Sequence, residues 1–350
     1  MNTPNNQEPD SNKQISRRTP KHSNPKNNSK KILFFWGLLL AVIAIVAGTH
    51  YGIKRYQAAH RAADSIYSSA NIQKARDVSQ TLKEGKPICL LLMGTDTGAL
   101  GRNFKGRTDT MIVAVLNPKK KMMTVVSLPR DAEVAVYGYE NQFPSKLNSA
   151  YEYGGSAAAV KTVQKYLNVP IDFYATINMG GLENLIDAVG GVKVTPNLTF
   201  SYDGYSFTKD KETTMSGKKA LAYVRMRYDD PLGDYGRQER QRQVLISLAF
   251  KASKLTSLLN DNFLNTISKQ MTTDLSFNEL LVLGTKYRVA THGMTSDHLQ
   301  GETQMVDGQS FEIPTTQEKQ RITDILRKAL GLSKATTGST LSSSDHIDTK

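Results

Sequence analysis

The chain has few cysteines and few histidines, and this scarcity excludes several kinds of site. One cysteine, Cys89, occurs in 350 residues, so neither an intramolecular disulfide nor a multi-cysteine zinc site can form. The six histidines are scattered, and no two have the spacing of metal ligands. The H-E-x-x-H, C-x-x-C and G-x-S-x-G motifs do not occur, which leaves zinc and serine hydrolases without support.

Positive charge is in excess: 45 Lys and Arg residues face 32 Asp and Glu residues, for a net charge of +13. A basic surface favours a polyanionic partner, and nucleic acid, anionic lipid and phosphorylated glycans all satisfy that condition. The hydrophobic fraction of 39% and the charged fraction of 22% are ordinary for a folded protein. The composition therefore predicts one large or two medium domains.

The N-terminal region predicts a membrane anchor. Residues 1–31 are rich in Asn, Ser, Pro and Lys, which is typical of a disordered basic tail. Residues 32–47 carry no polar side chain, and the run extends to Ile53. Its length matches the roughly 20 residues of a membrane-spanning helix. A run that is apolar on every face and follows a disordered tail favours a membrane span over a buried core helix, and a cleaved signal peptide has a shorter run and an A-x-A-like site. We therefore expect an uncleaved, single-pass transmembrane anchor over 32–53.

The charges around this run predict its orientation. Seven basic and two acidic residues precede it, so the positive-inside rule puts the N-terminus in the cytoplasm and residues after 54 outside the cell membrane. A domain outside the membrane meets no genomic DNA, which excludes nucleic acid as a partner. Phosphorylated polymers of the cell envelope are the anions available there.

Strand and helix patterns alternate in the middle of the chain, which predicts an α/β domain over 86–260. A helical extracellular stalk over 54–85 precedes it, a mostly helical extension over 261–333 follows, and 334–350 is a disordered Ser/Thr-rich tail. The predicted strands are 88–93, 110–116, 122–128 and 171–177. The predicted helices are 156–167, 182–189 and 237–259.

Acidic and arginine residues recur where the predicted strands begin and end. These groups are Gly94-Thr95-Asp96, Arg107-Thr108-Asp109, Pro129-Arg130-Asp131 and, later, Arg225-Met226-Arg227. Loops converge at strand ends in α/β sheets, and sites form there. Arginine forks bind phosphate oxygens bidentately, and carboxylates beside them can hold Mg²⁺. The pattern indicates a site for a phosphorylated ligand, whereas any single pair taken alone is more simply a surface salt bridge.

Residues 101–108 come close to a phosphate loop, with Arg107 where the motif has lysine. A phosphate loop opens a helix, because the helix N-terminus supplies part of the anion site. A strand is predicted directly after Arg107, which argues against this interpretation.

Six motifs together resemble the LytR-CpsA-Psr family of Gram-positive envelope proteins. They are Gly-Thr-Asp at 94–96, Arg-Thr-Asp-Thr at 107–110, Ser-Leu-Pro-Arg-Asp at 127–131, Lys-Leu-Asn-Ser-Ala-Tyr at 146–151, Val-Gly-Gly-Val at 189–192, and Tyr-Val-Arg-Met-Arg at 223–227 leading to Gly-Arg-Gln-Glu-Arg-Gln at 236–241. The resemblance implies a mixed central β-sheet flanked by helices and preceded by one transmembrane helix. It also implies an extracytoplasmic phosphotransferase that moves a glycopolymer, such as wall teichoic acid or capsular polysaccharide, from a polyprenyl-pyrophosphate carrier to peptidoglycan.

The same resemblance implies roles for individual residues. Asp96 and Asp109 would hold Mg²⁺ or Mn²⁺. The residues that would bind the pyrophosphate are Arg107, Arg130, Arg225, Arg227 and Arg237, with Arg240, Gln241 and Lys146 as further candidates. Arg107 and Arg130 would also act in catalysis, and Asp131 and Asp234 would orient a ligand or accept a proton. The loop over 228–235 departs from the family pattern by its proline, and Asp229, Asp230 and Asp234 all remain candidates there.

Two other functions stay open at this stage. A polyprenyl-pyrophosphate hydrolase needs the same phosphate site and uses water as the acceptor. A membrane-anchored regulator or binding protein needs the arginines, but it has no use for Asp96 and Asp109 beside them, since carboxylates repel phosphate unless a cation intervenes.

The predicted orientation can be tested with a reporter that is active only outside the cytoplasm. Fused after residue 54, the reporter should be active, and fused within the first 30 residues it should be silent. Activity confined to the cytoplasm in both fusions would contradict the topology and would readmit a nucleic-acid partner.

Overall fold

The computed structural model describes residues 29–95, 106–227, 230–252 and 260–339. The chain divides into two compact units, Met1–Ile53 and Lys54–Lys350. The first helix, α1, runs over Ser29–Ile66. Across the parts of the chain that the structure describes, we find no helix with both the length and the apolar character that crossing a bilayer requires. The anchor over 32–53 stays a prediction.

Helices and strands alternate through the second unit. The other helices are α2 (Val78–Glu84), α3 (Ser149–Leu167), α4 (Leu182–Ala188), α5 (Gly217–Arg225), α6 (Gly233–Ala252), α7 (Asp261–Gln270), α8 (Phe277–Val282) and α9 (Thr316–Leu330). The strands are β1 (Ile88–Thr95), β2 (Thr108–Asn117), β3 (Met122–Leu128), β4 (Glu133–Val134), β5 (Ser145–Lys146), β6 (Phe173–Asn178), β7 (Val192–Val194), β8 (Phe200–Tyr202), β9 (Tyr205–Phe207), β10 (Thr213–Met215), β11 (Met271–Thr273), β12 (Gly293–His298), β13 (Glu302–Val306) and β14 (Gln309–Ile313).

A six-stranded mixed sheet lies at the centre, in the order β11-β6-β1-β2-β3-β12. The strand β2 is antiparallel to both β1 and β3, whereas β6 is parallel to β1 and β12 is parallel to β3. The sequence predicted β1, β2, β3 and β6 from apolar runs, and all four are confirmed. Nearly every residue of these strands is buried, because helices cover both faces of the sheet.

Alternate side chains of the sheet enter two separate cores. Val113 and its neighbours in register pack under α3 and α9, where Val163 and Leu326 meet them. Ile112 faces the opposite way and packs with the residues of α4, α5 and α6, including Tyr223. Side chains along β2 alternate between the two faces of the sheet, and helices pack on both faces. The domain therefore has three layers, helix on sheet on helix.

The helix α3 begins earlier than its sequence pattern predicts. Gly155 lies inside it with φ 66° and ψ −154°, a conformation that interrupts the helix and that glycine adopts without strain. The predicted helix over 156–167 is the regular part after this kink. The first turns, from Ser149, carry the Tyr- and Gly-rich residues that hide the helical period.

The predicted stalk over 54–85 differs from an uninterrupted helix. Helix α1 ends at Ile66, and the chain then lies along the sheet: Ser68 N donates to Thr273 O at 2.7 Å, and Tyr174 Oη donates to Ser68 O at 2.6 Å. Arg76 pairs with buried Asp172 at 2.5 Å. The sequence lacked a signal for this docking, because the partners lie about 100 residues or more further along.

The two C-terminal predictions also need correction. Residues 261–333 contain four strands besides their helices, and β11 and β12 are the two outer strands of the central sheet. The tail predicted over 334–350 is ordered at its start: Thr337 is buried, and its hydroxyl lies 2.8 Å from that of Thr323. Residues 340–350 lie outside the described part of the chain.

The sheet brings distant parts of the sequence to one edge. In register, Thr95 at the end of β1 lies beside Thr108 at the start of β2, and Met111 lies beside Leu128 at the end of β3. Strand β6 ends beside β1, with Asn178 opposite Thr95, and β12 ends beside β3. We call this the site edge, because the acidic and arginine motifs follow or precede these strand ends.

A buried ion pair should hold the 67–84 segment on the sheet. Asp172 is 1% exposed, and its carboxylate accepts hydrogen bonds from Arg76 Nε at 2.7 Å and from the Cys89 backbone at 2.7 Å. We expect Asp172→Asn to lower the free energy of unfolding by about 3–5 kcal/mol, since Arg76 would be left buried without a counter-charge. Denaturant unfolding measures this change. Glu212→Gln, in the exposed Lys193–Glu212 pair, is the matched control and should leave the midpoint unchanged. Equal midpoints for both variants would contradict the role given to Asp172.

Candidate functional site

A cluster of charged side chains lies beyond the end of β3. Arg130 Nη1 donates to Asp109 Oδ1 at 2.6 Å, and Arg130 Nε donates to Asp131 Oδ2 at 3.3 Å. Lys146 Nζ lies 3.1 Å from the other oxygen of Asp131. We call Asp109, Arg130, Asp131 and Lys146 the edge cluster. Its members come from the start of β2, from the turn after β3 and from β5, and the sheet register brings them together.

The carboxylates around Arg130 stabilise its charged form. Its side chain is 22% exposed, and burial alone would lower the pKa. Asp234, Asp109 and Asp131 outweigh this effect and raise the pKa of Arg130 above its usual value. Asp234, which lies in the first turn of α6, is therefore near enough to act on the cluster. A partly buried arginine with a permanent charge is suited to binding phosphate oxygens.

Helix α6 places a second arginine near the cluster. Arg237 is 4% exposed at its side chain, and Asp234 lies beside its Nη2 atom. Neither Nε nor Nη2 of Arg237 makes a hydrogen bond of normal geometry, so the short approach of Asp234 counts as an ion pair and not as a hydrogen bond. Buried donors of this kind normally have acceptors. An anion at the site edge would supply them.

Arg240 does not join this group. Its side chain is fully buried: Nε donates to Tyr223 O at 3.1 Å, Nη2 donates to Met226 O at 2.6 Å, and Nη1 donates to Asp230. These contacts tie α6 to the end of α5. Asp230 is thereby engaged within the protein, whereas Asp234 is 42% exposed and acts on Arg130. Of these two, Asp234 is the aspartate that the geometry favours for ligand chemistry, and Asp229 lies outside the described residues.

The remaining predicted site residues differ in their exposure and in their partners. Gln241 accepts a hydrogen bond from Thr110 Oγ1 at 2.9 Å and so fastens α6 to β2. Arg225 ends α5, and Arg227 follows; both are exposed on either side of buried Met226. Arg107 is half exposed and pairs with Glu152 of α3 at 2.7 Å.

Residues 101–108 do not form a phosphate loop. The loop residues 101–105 lie outside the described part of the chain, but β2 begins at Thr108 directly after Arg107. A strand has no N-terminal cluster of free N–H groups that would cradle a phosphate, as the start of a helix has. The structure therefore agrees with the sequence argument against this motif.

The metal prediction rests on two residues, of which the structure describes one. Asp96 lies outside the described residues, and within them no three His, Cys, Asp or Glu side chains come together as metal ligands. Asp109 gives one carboxylate oxygen to Arg130 and is 39% exposed at its side chain. Mg²⁺ commonly takes one or two carboxylates and fills its other positions with phosphate oxygens and water. Asp109 fits that use.

Two site residues escaped the sequence analysis. Glu152 follows the Lys146–Tyr151 motif by one residue and pairs with Arg107. Arg242 is the third arginine in the α6 run; its Nη1 donates to Ser127 Oγ and to Asp297 O, each at 2.8 Å, and burial lowers its pKa to about 10. Their nearness to the motifs was the available signal. Only the fold shows that α6 packs against the end of β3.

These features define an α/β domain with a cluster of arginines, a lysine and carboxylates at one edge of a mixed sheet. The sequence model of the LytR_cpsA_psr family matches residues 50–328, so the chain belongs to that family. A relative from Enterococcus faecalis, polyisoprenyl-teichoic acid–peptidoglycan teichoic acid transferase TagU, is 43% identical over 306 residues, which are 87% of this chain and 99% of that protein. The chain is accordingly an enzyme of the transferase class.

Solved structures of similar fold carry two kinds of name. One, from Enterococcus faecalis and called a transcriptional regulator, has a TM-score of 0.63 at 34% identity and covers 73% of this chain and 91% of its own. Another, TagT bound to LI-WTA, has a TM-score of 0.58 at 25% identity and covers 76% of this chain and 96% of its own.

Substitutions of Arg240 and of Arg225 should differ in their effect on stability, because Arg240 is buried and Arg225 is exposed. Arg240→Met leaves Asp230 buried without a counter-charge, so we expect a loss of about 3–5 kcal/mol in the free energy of unfolding. Arg225→Met, at an exposed position, should leave stability unchanged within error. Thermal and denaturant unfolding of both variants checks this difference. A destabilisation of the same size in Arg225→Met would show that both arginines stabilise the fold.

Proposed function

We propose that the chain transfers a glycopolymer from a polyprenyl-pyrophosphate carrier to a hydroxyl group of peptidoglycan, forming a phosphodiester. The observations that carry the proposal are Arg130 at the site edge, where three carboxylates favour its charged form, and the buried donors of Arg237, which make no hydrogen bond of normal geometry. The names of the relatives support teichoic acid as the polymer. The run over 32–53 would anchor the enzyme in the cell membrane, with residues after 54 in the envelope.

The chemistry follows from the charges at the site edge. The acceptor oxygen forms a bond to the phosphorus next to the glycan, and the bond from that phosphorus to the oxygen of polyprenyl phosphate breaks. Arg130 and Arg237 bind the phosphate oxygens and stabilise the charge that develops on the leaving group. The carboxylate of Asp131 or Asp234 takes the proton of the acceptor hydroxyl. No nucleotide is consumed, which suits a compartment without ATP.

Charge balance supports a role for a divalent cation. The cations Arg130, Lys146 and Arg237 face three carboxylates, those of Asp109, Asp131 and Asp234, so these six side chains are neutral as a group. A pyrophosphate diester adds negative charge that the group does not offset. Asp109, with Asp96, would hold Mg²⁺ or Mn²⁺, which neutralises phosphate oxygens and polarises phosphorus when bound. The exposed Arg107, Arg225 and Arg227 would contribute the remaining positive charge.

A transfer assay on the full chain in detergent tests the proposal. A short-chain polyprenyl-pyrophosphate glycan is supplied with and without peptidoglycan oligomers and Mg²⁺, and mass spectrometry detects the glycan–phosphate–peptidoglycan adduct. Arg130→Ala and Asp109→Ala should each lower the rate of adduct formation by about 10²-fold or more, because each removes a charge that acts on the transition state.

Arg288→Ala is the matched control. Arg288 is exposed and precedes β12 at the opposite end of the sheet, so its loss should leave the rate unchanged. Phosphate release without an adduct would favour the hydrolase, which uses the same phosphate site with water as acceptor. Tight binding of the donor without any product would contradict the transferase and favour a binding protein.

A further inference from the structure

A cavity near the edge cluster is not explained by the phosphate site. It has a volume of about 370 Å³ and lies between the end of β12, the start of β13 and the first turns of α9. The side chains that matter for its chemistry are His298, Gln300, Glu302, Glu318 and Arg321. This volume is within the range of small-molecule sites, about 300–1,000 Å³.

Three contacts join this cavity to the edge cluster. Glu312 of β14 donates its backbone N–H to Asp131 O at 3.0 Å. Tyr235, the residue after Asp234, donates its hydroxyl to Glu312 Oε2 at 2.9 Å and accepts a hydrogen bond from Gly301 N at 2.8 Å. The β13–β14 hairpin is therefore fixed to the turn that carries Asp131 and to the first turn of α6. A ligand in the cavity would lie beside the proposed proton acceptors.

The charge of the cavity argues against a phosphate ligand. Arg321 is neutralised, because its guanidinium donates to Asp297 at 2.7 Å and to Glu318 at 2.7 and 2.8 Å. These hydrogen bonds, first that of Glu318 and then that of Asp297, raise the pKa of Arg321. Glu302 adds an exposed carboxylate at the rim. The cavity is thus polar with a negative balance, directly beside a site edge that is rich in arginine.

The polar groups of the cavity suit a neutral, hydroxyl-rich molecule. Gln300 offers both a donor and acceptors, His298 offers a ring nitrogen of each kind, and Glu302 offers acceptors for adjacent hydroxyl groups. The His298 ring lies 5.2 Å from that of Tyr235 and is held against it. Ile313 adds an apolar patch, which the C–H face of a sugar ring can cover.

We propose that this cavity is the acceptor subsite and binds the saccharide of peptidoglycan, with the acceptor hydroxyl directed towards Asp131 and Asp234. The assignment rests on the proposed transferase function. It assigns the two substrates to two sites according to their charge. The arginine-rich edge takes the anionic donor, and the cavity takes the neutral acceptor. The β13–β14 hairpin would then position the donor and the acceptor relative to each other, because it is hydrogen-bonded to the turn that carries Asp131.

The test separates acceptor binding from donor chemistry in the full chain. Gln300→Ala and Glu302→Ala each remove hydrogen-bonding capacity at the cavity, and Asp307→Asn removes a charge at the turn of the same hairpin. Asp307 has φ 49°, which asparagine also adopts, so the control keeps the turn. We expect KM for a peptidoglycan oligomer to rise at least about threefold in the two cavity variants and to stay unchanged in the control.

Binding of the donor, measured without an acceptor, provides the second readout and should be equal in all four proteins. Direct binding of a peptidoglycan glycan that lacks the stem peptide and has its lactyl carboxyl groups amidated is measured by ligand-observed NMR, with the free stem peptide in a parallel sample. The glycan should bind the wild type and the control, and more weakly the cavity variants.

The other possible results would overturn either the subsite or the transferase function. Equal KM and equal glycan binding in all four proteins would overturn the subsite, and so would a wild type that binds only the stem peptide. A wild type that does not turn over the donor, but still binds the glycan through Gln300 and Glu302, would overturn the transferase function and leave the cavity as a saccharide site.

Discussion

The ion pair between Arg130 and Asp109 is the interaction on which the site depends. It joins the start of β2 to the turn after β3, and it can form because the two strands are antiparallel neighbours with Met111 opposite Leu128. Asp131 adds to it from the same turn and Asp234 from the first turn of α6, and together the carboxylates raise the pKa of Arg130 despite its burial. The carboxylates thus hold the guanidinium of Arg130 in place at the edge and offset its charge.

Other buried arginines hold in place the helices and loops that surround the site. Arg240 satisfies two backbone oxygens at the end of α5 and the carboxylate of Asp230, so the loop before α6 has a defined course. Arg76 does the same for the segment that leads into β1. Arginine suits these positions because its planar fork offers several donors at once and its charge is permanent. The cost of burying each charge is offset only where a carboxylate is buried with it.

The residue pattern was sufficient for the centre of the fold. Continuous apolar runs predicted β1, β2, β3 and β6, because strands covered on both faces must be apolar throughout. The outer strands β11 and β12 were missed, since they are short or largely exposed and lack such a run. The docked course of residues 67–84 was also missed. Its partners Asp172 and Asp274 lie about 100 to 200 residues away in the sequence.

The sequence by itself determined the residue types of the site and the motifs that carry the family: arginines for phosphate oxygens and carboxylates for a cation. Only the tertiary structure decided which of them meet. Arg130, Asp131, Lys146 and Asp234 are brought together at one edge, while Arg240, with an equally suggestive position in the sequence, is buried among internal acceptors. The reason is that strand register and helix packing set which ends are neighbours, and both depend on contacts between residues far apart in the chain.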